Sequence, residues 1–313
     1  MVGLSYLLRR FGYAVVTALG VTILVFFMLH LVPGDPARAL LGPRATPELI
    51  AQLHHRWGLD RPLLSQYGLF MGRLLTGDLG ESFFYHLPVT RLIVERLPAT
   101  LLLLLFSTLF TLLITVPLAI LAAVNRGRLI DKVVRTLPVI GLGMPTFWIG
   151  IMLILVFALN LGWFPVGGFG DTSAEHLRSI VLPALTVALG ISPMTTRSLR
   201  ASMIAVLDSD FITTARAKGL ATRRILAVHA LRNSILPMIT VLAVNIGFLV
   251  GGTVVIEQVF ALPGVGGLMF TAILNRDFAI VQGVTLVFAM LVIAVSLLTD
   301  VAYATIDPRV RFE

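Results

Sequence analysis

The chain has 313 residues, 57% of them hydrophobic and 13% charged, and a net charge of +8. Soluble domains carry about a quarter charged residues, so a surface this poor in charge, with its charges bunched between long apolar runs, excludes an ordinary water-soluble fold. No cysteine is present, which excludes disulfides, thiolate metal sites and cysteine nucleophiles, and the basic excess sits mostly beside apolar spans, where it marks topology rather than nucleic-acid binding.

A membrane-spanning helix needs roughly 20 apolar residues. Six uncharged stretches qualify: 11–32, 97–125, 137–160, 179–196, 233–256 and 278–299. None alternates polar and apolar residues as barrel strands do. The chain therefore reads as an all-α polytopic membrane protein with six transmembrane helices. The first stretch exceeds a signal-peptide core and no small-residue cleavage site follows it. Pro33-Gly34-Asp35-Pro36 follows instead, a turn ending an uncleaved span. Met144-Pro145 and Pro183 are expected to bend the helices that hold them. With the N-terminus in the cytoplasm, 15 of the 24 basic residues lie inside. Seven more fall in the long outer segment 33–96, where charge has little influence on topology. Both termini are thus expected in the cytoplasm. The sequence divides into an N-terminal tail and first helix (1–32), an outer helical segment (33–96), a membrane core (97–306) and a short tail (307–313).

The outer segment holds two predicted helices. One starts at Thr46 as N-cap with Pro47 behind it and ends at Gly58; the other lies around 63–75. The inner segment 197–232 is basic. A helix over 211–218 is expected to start from Ser209 or Asp210 and to stop at Gly219, followed by a second over 222–231. That segment is either a docking platform lying against the membrane or a solvated loop that only sets topology.

The order of short tags along the chain is more specific than any of these features. Asp210-Phe211-Ile212-Thr213-Thr214-Ala215-Arg216-Ala217-Lys218-Gly219, then His229 to Asn233 and Leu236-Pro237, resembles the cytoplasmic EAA loop of ABC importer permeases, in the form of the dipeptide, oligopeptide and nickel permease family. Leu31-Val32-Pro33-Gly34-Asp35-Pro36, Gly58 to Pro62, Gly77 to Gly80 with Ser82, Leu97 to Thr100, Glu257, Phe260, Pro263-Gly264-Val265-Gly266, Arg276-Asp277 and Asp307-Pro308-Arg309 are similar to that family as well. Thr213 replaces the acid that names the motif, Thr214 its first alanine, and Gly267 and Ala279 stand where Arg and Pro are frequent.

The resemblance implies a type I ABC importer permease fold in a bacterial cytoplasmic membrane, importing di- or oligopeptides, with nickel chelates and glutathione as alternatives. It implies a coupling helix from Asp210 to Gly219 seated in a groove of an ATPase. Phe211, Ala215 and Ala217 would pack in that groove, and Arg216 and Lys218 would pair with acids at its rim. The implied partners are a sister permease, two ABC ATPases and an extracytoplasmic solute-binding protein, with lipid around the spans and no nucleic acid. ATP and Mg belong to the ATPases, since this chain's two lysines, Lys132 and Lys218, do not follow a glycine as a P-loop lysine does.

Other classes fit less well. The six spans contain no Asp, Glu, Lys or Arg, whereas ion-driven carriers bury such groups. His54, His55 and His176 lie in outer segments without matching ligand spacing, and His229 falls in the inner loop that the resemblance accounts for, so neither an intramembrane enzyme nor a metal site is expected. Asn245 inside the fifth span either lines the pore or bonds a neighbouring helix. Gly247 and Gly251 form a G-x-x-x-G pair expected to pack closely against another helix. Glu257, Pro263, Gly264 and Gly266 are expected in an outer loop or gate.

Overall fold

The computed structural model describes residues 4–31 and 45–306, and its regular structure is helical apart from one isolated bridge between Glu81 and Pro88. The Pro33 to Pro36 turn and the tail from Asp307 lie outside the described residues. Among the described residues five helices are long and apolar enough to cross a membrane. They are α1 (Leu4–Leu31), α4 (Val89–Val124), α7 (Ser173–Leu207), α9 (Thr222–Val259) and α11 (Phe278–Ile306).

The third expected span, 137–160, is not one helix. α5 (Leu129–Leu142) ends, and α6 (Thr146–Asn160) begins after Gly143-Met144-Pro145. Proline forces its predecessor out of helical geometry and offers no N–H to the preceding turn. Pro145 therefore caps the start of α6 instead of bending a longer helix. At 1.5 Å per residue α6 is about 22 Å long, short of the roughly 30 Å hydrocarbon core.

The fourth and fifth spans are longer than hydropathy suggests. At the start of α7, Glu175 N donates to Thr172 Oγ1 at 3.2 Å and Thr172 N donates to the Glu175 carboxylate at 3.1 Å, a full capping box. The helix then runs through both Pro183 and Pro193. α9 absorbs the expected 222–231 helix without interruption, by way of a π-helical stretch at Ile225–Ala230. No glycine or proline intervenes between Thr222 and Leu236 to stop it.

The outer segment follows its local signals. α2 (Pro47–Trp57) starts with Leu49 N donating to Thr46 Oγ1 and ends on Gly58 at φ +73°. α3 (Leu63–Leu75) does not stand free of the membrane helices: Tyr67 OH is 2.9 Å from Thr22 Oγ1 of α1, and its ring meets Phe26 edge-on. Further along, Ser82 Oγ donates to Asp277 at 2.6 Å, tying the entrance of α4 to the corner before α11.

Three apolar clusters stack along α4. Its outer end (Val89, Leu92, Ile93) packs with the short helix α10 (Val265–Leu274) and α11. Its middle (Leu103) meets α6, α7 and the end of α9 around Phe260. Its inner end (Ala119, Ala123) meets Leu199 and Met203 of α7 and Ala230 and Met238 of α9. The small side chains at the inner end bring the backbones of α4, α7 and α9 close together.

Candidate coupling and translocation sites

Between α7 and α9 the chain makes the short helix α8 (Asp210–Ala217). Ser209 occupies the N-cap position. Gly219, at φ +76°, closes the far end, and Gly219 N donates to Arg216 O. An L-residue with a Cβ adopts that φ only at a cost. The two faces of α8 differ. Ile212 and Ala215 are buried against Ile225, with Val206, Leu207 and Leu220 around them. Phe211 is 47% exposed, and Arg216, Ala217 and Lys218 are exposed beside it. Arg216 and Lys218 make no ion pair among the described residues. Ala215 thus belongs to the inward face that seats α8 on its own chain. It is not among the groups α8 presents outward.

Sequence reasoning missed the contact that ties α5 to α7, the helix that leads into α8. Asp131 of α5 is 1% exposed and receives two hydrogen bonds from the Arg200 guanidinium of α7, at 2.6 and 2.7 Å. Gly127 N donates to the same carboxylate at 2.9 Å, and Arg135 stands 3.6 Å away. The Arg200 pairing, helped by the Gly127 N–H, holds the Asp131 carboxyl below its ordinary range despite burial. Two turns beyond Arg200, Asp208 pairs with Arg126 at 2.7 Å. The α4–α5 turn is therefore clamped to the end of α7 that leads into α8. The available signal was a single acid in the basic run Arg126 to Arg135.

Asn245 lies midway along α9, where its amide donates to Val241 O one turn back. It lines a cavity of about 420 Å³ between α6, α7 and α9, together with Thr146, Phe147, Gly190, Phe248 and Gly252. Its side chain is therefore not spent on a neighbouring helix. Among the described residues the close packing expected at Gly247 and Gly251 is absent: a Cβ on either would meet nothing within 4 Å.

Glu257 is not on an exposed loop. It sits on the last turn of α9, 1% exposed, and its carboxylate accepts from Thr100 Oγ1 at 2.8 Å and from Gly267 N at 2.6 Å. Thr100 Oγ1 in turn accepts from Val265 N. An acid and a hydroxyl thus satisfy the N-terminal N–H groups of α10, which have no intrahelical acceptor. Gly264 is in contact with the carboxylate, since a Cβ there would fall 2.2 Å from it. Pro263, Gly264 and Gly266 form the turn and first residues around this buried acid.

Two family models divide the chain between them. The binding-protein-dependent transport system inner membrane component matches residues 115–312, and the corresponding N-terminal membrane component matches residues 3–104. The chain belongs to this family. It is the membrane-spanning permease subunit of an ATP-binding-cassette importer, of the dipeptide and oligopeptide type, and is a transport subunit and not an enzyme. A Brucella abortus protein named for a peptide transport system permease is 39% identical over 312 residues, covering 99% of both chains. The oligopeptide transport system permease protein AppB of Bacillus subtilis is 38% identical over 98% of this permease and 99% of its own length. The glutathione transport system permease protein GsiC of Salmonella typhi is 37% identical over 99% and 100%. Among solved structures, the inward-facing MetNI methionine ABC transporter matches with a TM-score of 0.58 at 17% identity, over 69% of this chain and 96% of its own, and supports the fold. As a member of this family the permease works with ATPase partners and a second permease.

Proposed function

We propose that this permease forms half of the path by which di- and oligopeptides enter the cell. The observation that carries the reading is full-length likeness to permeases named for peptide, oligopeptide and glutathione transport. Glutathione is itself a small peptide, so one chemistry covers all three, and import of glutathione is the second reading. The complete importer comprises this chain, a sister permease, two ATPases and an extracytoplasmic binding protein that selects the solute. It lies in the cytoplasmic membrane with both termini inside.

In this reading α8 is the coupling helix. Phe211 and Ala217 enter the ATPase groove, and Arg216 and Lys218 meet acids at its edge. Asp210 starts the helix and Gly219 turns the chain away from it. Ile212 and Ala215 carry the motion of the groove into α7 and α9. The Asp131–Arg200 clamp supports the mechanism, because a rigid end of α7 transmits displacement where a loose one would absorb it. Asn245 lines the path. The hairpin of Glu257, Pro263, Gly264 and Gly266 forms its outer closure. The 1–32, 33–96, 97–306 and 307–313 divisions become anchor, outer cover, transport core and tail.

The test is uptake by a strain lacking the gene, offered a labelled dipeptide, labelled glutathione and labelled nickel in turn. Loss of dipeptide uptake, restored by the natural gene and not by Gly219→Pro, is the expected result. Loss confined to glutathione selects the second reading. Loss confined to nickel, or no loss, defeats the peptide assignment.

A further inference from the structure

The cavity between α6, α7 and α9 has no ionisable side chain in its lining. Its polar groups are the Thr146 hydroxyl and the Asn245 amide, and one Asn245 N–H is already given to Val241 O. Two of its walls are glycine. A Cβ on Gly252 would meet nothing within 4 Å, and a Cβ on Gly190 would meet only the Thr146 side chain at ordinary contact distance. Glycine inside a helix is disfavoured relative to alanine unless something uses the room. Among the described residues no other helix uses it at Gly252, so the room is left to the cavity.

The start of α6 says what the cavity opens onto. With Asn160 at one face of the bilayer, Thr146, about 22 Å away along the helix, falls inside the roughly 30 Å hydrocarbon core. No side chain caps the N–H groups of that first turn, and Gly143 to Phe147 are exposed. Irregular, uncapped backbone at that depth is tolerated against protein or water and not against lipid. The cavity therefore faces the transport path or the sister subunit. Phe248, 78% exposed beside Asn245, gives it an aromatic edge.

We propose that this cavity receives the apolar side chains of peptides in transit, and that Gly252 and Gly190 set the largest side chain that passes. The inference rests on reading the chain as a peptide permease. The lining supplies apolar contact and one amide but no fixed charge, so it can accommodate a side chain briefly without holding the charged termini of the peptide. A path needs that weak holding, because a substrate bound tightly midway does not leave. The importer's discrimination among peptides then has two parts, recognition by the binding protein and a volume limit in the permease.

The test uses the complete importer in proteoliposomes, with saturating binding protein, and compares Ala-Ala with Phe-Phe. Gly252→Leu places an isobutyl group in the cavity and narrows it. Gly252→Ala adds one methyl, and Gly247→Leu places the same bulk on the same helix outside the cavity. Gly252→Leu is expected to lower the Phe-Phe to Ala-Ala rate ratio by about tenfold, in line with steric discrimination in apolar pockets. Gly247→Leu is expected to hold it within about twofold, and Gly252→Ala to fall between the natural protein and Gly252→Leu. The ratio makes each protein its own control for folding, and if Gly252→Leu yields no active importer the decision passes to Gly190→Val. An unchanged ratio overturns the inference, whether both rates persist or both fall. A natural importer that carries neither peptide but does carry another solute defeats the peptide reading instead, and this inference with it.

Discussion

Glu257 combines burial, charge and crowding at one point. Its carboxylate satisfies Gly267 N and Thr100 Oγ1 from a position 1% exposed. Removing it leaves those donors without an acceptor, at about 1–3 kcal/mol each. Glu257→Ala is therefore expected to lower the stability of the detergent-solubilised protein by about 3 kcal/mol, read as a fall in its thermal midpoint. Gly264→Ala is expected to destabilise as well, because its methyl would overlap the same carboxylate. With the acid gone that overlap disappears, so the double variant should lose clearly less than the sum of the single losses. Asp131 supports a different prediction. Its carboxyl is held below the ordinary range by Arg200, so the folded state binds the proton more weakly than the unfolded chain. The stability this contributes is complete above the unfolded value, about pH 4, and is lost as pH falls through the lower folded value. Asp131→Asn should thus cost stability at neutral pH, about 3 kcal/mol with Arg200 left unpaired. The gap from the natural protein should close in acid-unfolding curves below about pH 4.

Helix α8 separates seating from docking, and the two faces call for different outcomes. Ile212→Ala opens a hole in the Ile212, Ala215 and Ile225 cluster. It should destabilise the seat of α8 by about 2–4 kcal/mol and weaken uptake through the fold. Phe211→Ala removes an exposed ring. It should leave the thermal midpoint unchanged while reducing the amount of ATPase that co-purifies with the permease; an equal yield of ATPase would argue against α8 as the contact. Much of this element was legible in the sequence, because caps are local. Thr46, Gly58 and Gly219 act within a few residues of themselves, and each ends or starts a helix where it was expected to. Two kinds of feature were not legible. Hydropathy counts composition and does not register a break, so 137–160 read as one span although Pro145 starts a new helix within it. Pairings across the chain leave no local trace: Arg200 meets Asp131 across 69 positions, and Thr100 meets Glu257 across 157. For the same reason the inward turn of Ala215 was invisible, since it depends on where Ile225 lies.

Placed in a bilayer, five long helices and one broken segment require the loops to alternate sides, and the basic residues decide which side is which. The turn after α4 carries Arg126, Arg128, Lys132 and Arg135, and the region from α8 into α9 carries Arg216, Lys218, Arg223 and Arg224. The loop between α6 and α7 carries only Arg178 nearby, bonded to Trp163 O. In the proposed topology, positive charge of that asymmetry puts the first two regions in the cytoplasm and the third outside. The burial pattern agrees with a chain that has lipid and a partner around it: Leu105, Leu113, Leu298 and Phe248 are more than half exposed on helices of membrane length. Because the natural chain has no cysteine, it is its own background for a labelling experiment. Single cysteines at Gly168, in the outer loop, and at Lys218, beyond α8, should divide cleanly. In intact cells a membrane-impermeant maleimide should modify Gly168→Cys and spare Lys218→Cys, and opening the cells should expose Lys218→Cys. Labelling of Lys218→Cys from outside would invert the whole arrangement, because α8 and the Asp131–Arg200 clamp lie on one side of the membrane together. The coupling assignment would then fail with the topology, while the helix packing around α4 would stand.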